Sequence, residues 1–189
     1  MDFENDIVNC LEVLKRGGMI LYPTDTIWGI GCDATNEQAV EKIYRLKKRS
    51  DEKVMIVLVA DEKEILKHAA GPDLAVFDYL QKTKKPTTVV YQGALGFADN
   101  LVSKDGSIAI RICGEPFCRQ LIKRFRKPIV STSANIAGKP APKIFKKISD
   151  EIKNAVDYVV QYRQNDEQIA EPSSIIKWNS DGSVTVIRS

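Results

Sequence analysis

The stretch SIAIRICGEPFCRQLIKRFRKPIVSTSAN, residues 107–135, decides the fold. Ser107 to Cys113 is apolar except for Arg111 and reads as a strand, Glu115 to Phe125 has helical periodicity, and Pro128 to Ser131 reads as a short second strand. That strand delivers the loop Ser131-Thr132-Ser133-Ala134-Asn135 from its C-terminal end, where open α/β sheets hold ligands. Strand, helix and strand in succession predict an α/β architecture.

Working outward, the same alternation continues. Phe3, Ile7, Cys10, Leu11 and Leu14 recur at helical spacing before Gly17-Gly18 stops the helix, and Met19 to Tyr22 reads as a strand. A polar turn from Pro23 runs into a second apolar strand with two glycines, Gly29 and Gly31. Thr35-Asn36-Glu37-Gln38 has the form of a capping box opening an amphipathic helix through Leu46. Val54 to Ala60 reads as a strand buried on both faces, followed by short helices near 62–69 and 73–82 and a strand from Thr87 to Tyr91. Ser173 to Trp178 and Ser183 to Arg188 alternate around Asn179-Ser180-Asp181-Gly182, a hairpin pattern. With no repeat, linker or low-complexity tract, residues 1–189 are expected to form one α/β domain with a twisted, largely mixed sheet. The loosest parts are 138–142 and 164–172.

The 189 residues are 43% hydrophobic and 28% charged, which excludes a disordered tail, and no apolar run approaches bilayer length. The acidic, amphipathic start lacks the features of a secretory signal, so a cytoplasmic protein without membrane attachment is expected. Cysteines 10, 32, 113 and 118 form no CxxC motif and His68 is the sole histidine. Structural zinc is therefore not expected, and the thiols read mainly as small buried hydrophobes. Net charge is only +3, but Lys and Arg crowd 42–53, 123–127 and 139–147. Such runs are often solvated helix faces.

Neither GxxxxGK[ST] nor GxGxxG is present, so a bound phosphate would have to meet point charges, hydroxyls and amides. Lys47-Lys48-Arg49 and Lys53 supply charge; Ser131, Ser133 and Asn135 supply donors; Arg111 and Arg188 add two cations. Arg111, flanked by Ile108, Ala109, Ile110 and Ile112, needs an anion, because burying an unpaired guanidinium costs several kcal/mol. An internal carboxylate such as Asp25 and a ligand anion answer that need equally well. With one histidine there is no triad, and no carboxylate pair is evident. The remaining chemistry is orientation and neutralisation of phosphates in a displacement.

Tyr22-Pro23-Thr24-Asp25-Thr26 with Trp28-Gly29-Ile30-Gly31-Cys32-Asp33-Ala34, the Lys47-x-Arg49 pair, and Ser131-Thr132-Ser133-Ala134-Asn135 together resemble the YrdC/TsaC threonylcarbamoyl-AMP synthase family. Pro86-Thr87-Thr88-Val89-Val90, Ser107-Ile108-Ala109-Ile110-Arg111, Pro172-Ser173-Ser174-Ile175-Ile176 and Val186-Ile187-Arg188 follow collinearly. The resemblance implies a YrdC-like open sheet flanked by helices with a concave basic cleft. It also implies a nucleotidyltransferase that converts ATP, L-threonine and bicarbonate or CO2 to threonylcarbamoyl-AMP and pyrophosphate for tRNA threonylcarbamoyladenosine modification. By position, Lys47, Arg49, Lys53, Ser107, Ser133, Asn135 and Arg188 would contact the nucleotide, with Lys47 and Arg49 catalytic. Thr26, Arg111, Ser131 and Ser174 would hold threonine or its carbamoyl group. ATP would enter with Mg²⁺, no protein side chain would ligate a metal, and a tRNA-modifying transferase complex would take the product. Departures from the family pattern are Arg49-Ser50, Lys53-Val54-Met55, Leu58 and Ser174. The same fold also suits tRNA or double-stranded RNA contact, a ribosome-maturation role, or a paralogue without synthesis. A lid over 138–148 or 164–172 is expected, because a carbamate and a mixed anhydride are both labile in water.

Overall fold

The computed structural model describes residues 3–48, 55–179 and 181–189, and its centre is a strand that reads as half strand and half loop in the sequence. In chain order the elements are α1 (Glu4–Lys15), β1 (Ile20–Tyr22), β2 (Gly29–Gly31), α2 (Glu37–Lys47), β3 (Ile56–Val59), α3 (Glu62–His68), α4 (Ala75–Lys82), β4 (Thr87–Tyr91), β5 (Ile108–Ile112), α5 (Pro116–Phe125), β6 (Ile129–Ser133), α6 (Asp150–Ala155), β7 (Tyr158–Val159), β8 (Ser174–Trp178) and β9 (Val184–Arg188). The nine strands form one sheet in the order β7-β1-β2-β6-β3-β5-β4-β8-β9. Three neighbouring pairs are parallel, β1 with β7, β3 with β5 and β4 with β8, and the rest are antiparallel. The sheet is thus mixed, as expected.

The central strand β6 pairs with β2 through Gly29↔Ser133 and with β3 through Ile56↔Ser131. Ser131 to Ser133 are therefore paired strand residues, because flanking strands on both sides supply partners that a local reading cannot see. The glycine at 29 is required by this closeness: a Cβ there would lie 2.9 Å from the Ser131 hydroxyl oxygen.

Helices α1 and α5 pack side by side, with Phe3 edge-on to Phe117 at 5.7 Å, and bury Ile7, Cys10, Leu14, Phe117, Leu121 and Ile122. The start of α2 differs from the capping box expected from Thr35. The N-cap is Asn36, whose side chain accepts from the Ala39 amide at 3.1 Å, while the Thr35 hydroxyl donates to Asp33 at 2.7 Å. A carboxylate two residues back outcompetes the helix terminus for that hydroxyl. Two elements went unforeseen, α6 and β7; the latter is fixed beside β1 by the Met19 amide donating to Asp157 Oδ2 at 2.7 Å. None of the described helices is long and apolar enough to cross a membrane.

Register assigns the faces, because side chains alternate along a strand. Following the pairs Gly29↔Ser133, Ser131↔Ile56, Ile56↔Ala109, Val90↔Ala109, Thr88↔Ile175 and Ile175↔Arg188 places Ser131, Ser133, Arg111, Thr88 and Arg188 on one face. Ser174, paired with Thr87, is on the other.

Candidate active site

That polar face opens into a cleft of about 260 Å³, lined chiefly by the 26–29 turn, the strand ends of β5, β6, β8 and β9, and Ala141, Pro172 and Ser173. Five of the expected site residues line it: Thr26, Arg111, Ser131, Ser133 and Arg188. Among the described lining residues the only charged side chains are Arg111 and Arg188. Partial burial of the Arg188 head, and then the positive charge of Arg111, hold its pKa below the usual arginine value. Two cations facing one hollow favour an anion there.

For Arg111 the structure shows the internal carboxylate and leaves part of the guanidinium without a partner among the described residues. The residue is 3% exposed and its Nη2 lies 3.1 Å from Asp25 Oδ1, yet Nε meets no acceptor among the described residues and the side chain still borders the cleft. Asp25 is held in turn by the Gly114 amide, which donates to Oδ2 at 3.0 Å, and by the Cys113 thiol at 3.5 Å.

Thr26 owes its position to a self-closed turn. Its amide donates to Thr24 Oγ1 at 3.0 Å, the Thr24 hydroxyl donates to the Ile27 carbonyl at 2.9 Å, and the Thr26 hydroxyl lies 3.0 Å from Thr24 Oγ1. Arg163 braces the turn from outside, with Nη1 donating to the Thr24 carbonyl at 3.1 Å.

The remaining expected residues that are described fall elsewhere. Lys47, 2% exposed, donates from Nζ to the carbonyls of Ser133 and of Asn135, the latter at 2.7 Å, so it braces the end of β6. Burial explains the difference: a buried ammonium is satisfied by acceptors that the fold provides, and here these are carbonyls. Asn135 turns its amide to the Lys139 carbonyl at 2.5 Å, within its own loop and outside the cleft lining. Ser107 lies at the opposite end of β5 from Arg111 and donates to Asp105 Oδ1 at 2.7 Å, so it is away from the cleft. Ser174 faces away because its register with Thr87 sets it there. Arg49 and Lys53 lie outside the described residues. Leu58 is fully buried in register with Arg111.

Sequence reasoning missed Ser173. It lines the cleft, its hydroxyl lies 2.9 Å from that of fully buried Thr88, and its carbonyl accepts from Arg188 Nε at 3.1 Å and Nη2 at 2.8 Å. The alternation of the hairpin could have found it, since only one of two adjacent serines can face the arginine side. Trp28 was quoted without a role; it lines the cleft and packs 4.7 Å from the Phe145 ring. The two expected lid ranges, 138–148 and 164–172, are joined by Lys143 to Glu171 and Lys146 to Glu167, each at 2.6 Å, and reach the cleft at Ala141 and Pro172. Among the described residues no group of three His, Cys, Asp or Glu side chains is placed to hold a metal ion.

Comparisons with known proteins place the chain among relatives of one kind. A threonylcarbamoyl-AMP synthase of Saccharophagus degradans is 35% identical over 145 residues, 72% of this chain and 72% of its own length. One from Photobacterium profundum is 32% identical over 163 residues, covering 83% of this chain and 86% of its own. The crystal structure of P. abyssi Sua5 complexed with L-threonine superposes with a TM-score of 0.85 at 20% identity, covering 98% of this chain. This chain spans 54% of that longer protein, so the likeness bears on the fold. The Sua5/yciO/yrdC family model, described as "Telomere recombination", matches residues 12–189. With nearly the whole sequence matched and the sheet, turn and cleft arranged as above, the chain belongs to the Sua5/yciO/yrdC family.

Proposed function

We propose that this protein is a threonylcarbamoyl-AMP synthase, a nucleotidyltransferase acting on ATP, L-threonine and bicarbonate or CO2. The observation that carries the reading is the cleft whose only charged lining residues, among those described, are two arginines beside three hydroxyl groups from Thr26, Ser131 and Ser133. Relatives named as synthases at 32–35% identity support it, and give no support to RNA binding without synthesis.

In this reading Arg111 pairs with the α-carboxylate of threonine, while Thr26 and Ser131 border its side chain and carbamoyl group. The neutral amine captures CO2 and gives up one proton to solvent, a carbamate oxygen then bonds to the α-phosphorus, and the bond from that phosphorus to the α–β bridging oxygen breaks as pyrophosphate leaves. Arg188 and the Ser133 hydroxyl neutralise and cap the phosphates, and Lys47 acts as a positioning residue by holding the 133–135 backbone in place. Arg49 and Lys53 are assigned to the triphosphate on the family resemblance alone. Magnesium, if it takes part, would ride on the triphosphate, since no all-protein site is placed for it among the described residues. The labile product calls for a cytoplasmic transferase acting on tRNA close at hand.

The test is incubation of the purified chain with labelled ATP, L-threonine and bicarbonate. Pyrophosphate release that requires threonine is expected; release independent of threonine, or none, would overturn the reading.

A further inference from the structure

We propose that Asp25 is a positioning residue that makes the cleft select an organic carboxylate over inorganic oxyanions, an inference that rests on the reading of Arg111 as the carboxylate receptor. The lining itself holds two arginines and, among the described residues, no carboxylate. The counter-charge lies one layer behind. Asp25 is 14% exposed at its side chain, with Oδ1 3.1 Å from Arg111 Nη2 and Oδ2 accepting from the Gly114 amide at 3.0 Å.

Two consequences follow from that placement. A guanidinium gripped from behind by a carboxylate that is itself pinned keeps one orientation, which aims its planar fork instead of letting it swing. Asp25 also cancels one of the two positive charges that meet here, whose mutual influence is already felt at Arg188. A small polyvalent oxyanion responds mainly to summed charge, whereas an amino-acid carboxylate must also present its hydroxyl and amine in register and so responds to geometry. Asp25 is the residue before Thr26, which lines the cleft, so one short turn fixes both the receptor of the carboxylate and a neighbouring hydroxyl.

Direct calorimetric titration of the full chain with sodium sulfate and, separately, with L-threonine tests this without relying on turnover. In Asp25→Asn the local charge rises by one while Arg111 loses its anchor. Sulfate is expected to bind about tenfold more tightly, on the order of one added charge several ångströms away in a solvated cleft, and threonine about tenfold more weakly. Asp25→Glu keeps the charge but displaces the carboxylate by one methylene, so sulfate affinity should stay at the wild-type value while threonine weakens. A merely structural role would weaken both ligands together. Parallel loss of both in either variant, sulfate tightening in Asp25→Glu, or sulfate binding to none of the three proteins would overturn the proposal. Should Asp25→Asn fail to fold, Asp25→Glu against wild type decides. A protein that shows the sulfate contrast but no threonine-dependent pyrophosphate release would refute the synthase reading and leave the charge role of Asp25 standing.

Discussion

Ser173 and Ser174 are chemically the same residue, and the structure gives them opposite surroundings. Ser173 completes a buried contact with Thr88 and carries Arg188 on its carbonyl, whereas Ser174 offers the ladder its amide, donating to the Pro86 carbonyl at 3.0 Å, and faces the other side of the sheet. Ser173→Ala should therefore leave the Thr88 hydroxyl short of a partner, costing about 1–3 kcal/mol in denaturant melts. It should raise KM for ATP only slightly, since Arg188 Nη2 loses its 3.3 Å bond to the Ser173 hydroxyl but keeps both bonds to the carbonyl. Ser174→Ala should stay within about 0.5 kcal/mol of wild type and leave both KM values alone. Equal effects of the two would contradict the register. Lys47→Met is the companion case: it strips a charged donor from two carbonyls, so a loss of roughly 2 kcal/mol is expected, with the weakening of nucleotide binding following from a displaced 133–135 turn. At this scale the sequence shows which residue types can do the chemistry, and five of the expected residues do meet in one cleft. It does not show facing, because a shift of one position in a strand exchanges the two sides. It also does not show what a buried cation will find, which depends on carbonyls more than eighty positions away.

Elements with long periodic patterns, α1, α2, α5 and the β8/β9 hairpin, are legible because each carries its own signal. Short ones such as β7 are not, since two residues become a strand only when β1 lies alongside. The segments 138–142 and 164–172 are legible as loose, but the bonds between the expected lid ranges 138–148 and 164–172 are not. Lys143 to Glu171 and Lys146 to Glu167 join the two ranges, and Phe145 between the lysines rests on Trp28. Both pairs are exposed, so their effect on global unfolding should be slight. Their effect on local opening should be larger, because they tie one strap to the other while most of the remaining bonds are local to each strap. Glu167→Gln with Glu171→Gln is expected to speed hydrogen exchange in both segments while the melting temperature scarcely moves; unchanged exchange would show that the pairs hold nothing shut. The bond to each lysine, and then its charge, lower the pKa of both glutamates. For a carboxylate with a depressed folded pKa, the stabilisation is present above the unfolded pKa and is lost as pH falls through the folded one. Protection of the straps, taken relative to the intrinsic exchange rate at each pH, should accordingly fall on acidification through the carboxylate range and with added salt.

For the molecule as a whole, the core closes around four cysteines, all buried, at 10, 32, 113 and 118. The sequence suggests this from their apolar neighbours, though not how fully burial disables them. Burial pushes the thiols of Cys10, Cys32 and Cys118 well up from their ordinary value, with nearby carboxylates adding to the shift. A raised folded pKa means that stability is intact below the unfolded thiol pKa, about 8.5, and declines as pH rises beyond it, because only the unfolded chain can then release the proton. Each such thiol contributes a limiting slope of roughly 1.4 kcal/mol per pH unit, so three together make alkaline destabilisation steep. Urea melts at pH 7.5 and 9.5 should show the native state markedly weaker at the higher pH, and Cys10→Ala should flatten the difference by about one third of the thiol contribution, on the order of 1 kcal/mol across that window. The same burial predicts that a disulfide-exchange reagent finds no reactive thiol in the folded protein and four once it is denatured. Labelling without unfolding, or melts independent of pH in this window, would mean that the sheet opens far more readily than a core with these cysteines at zero exposure allows.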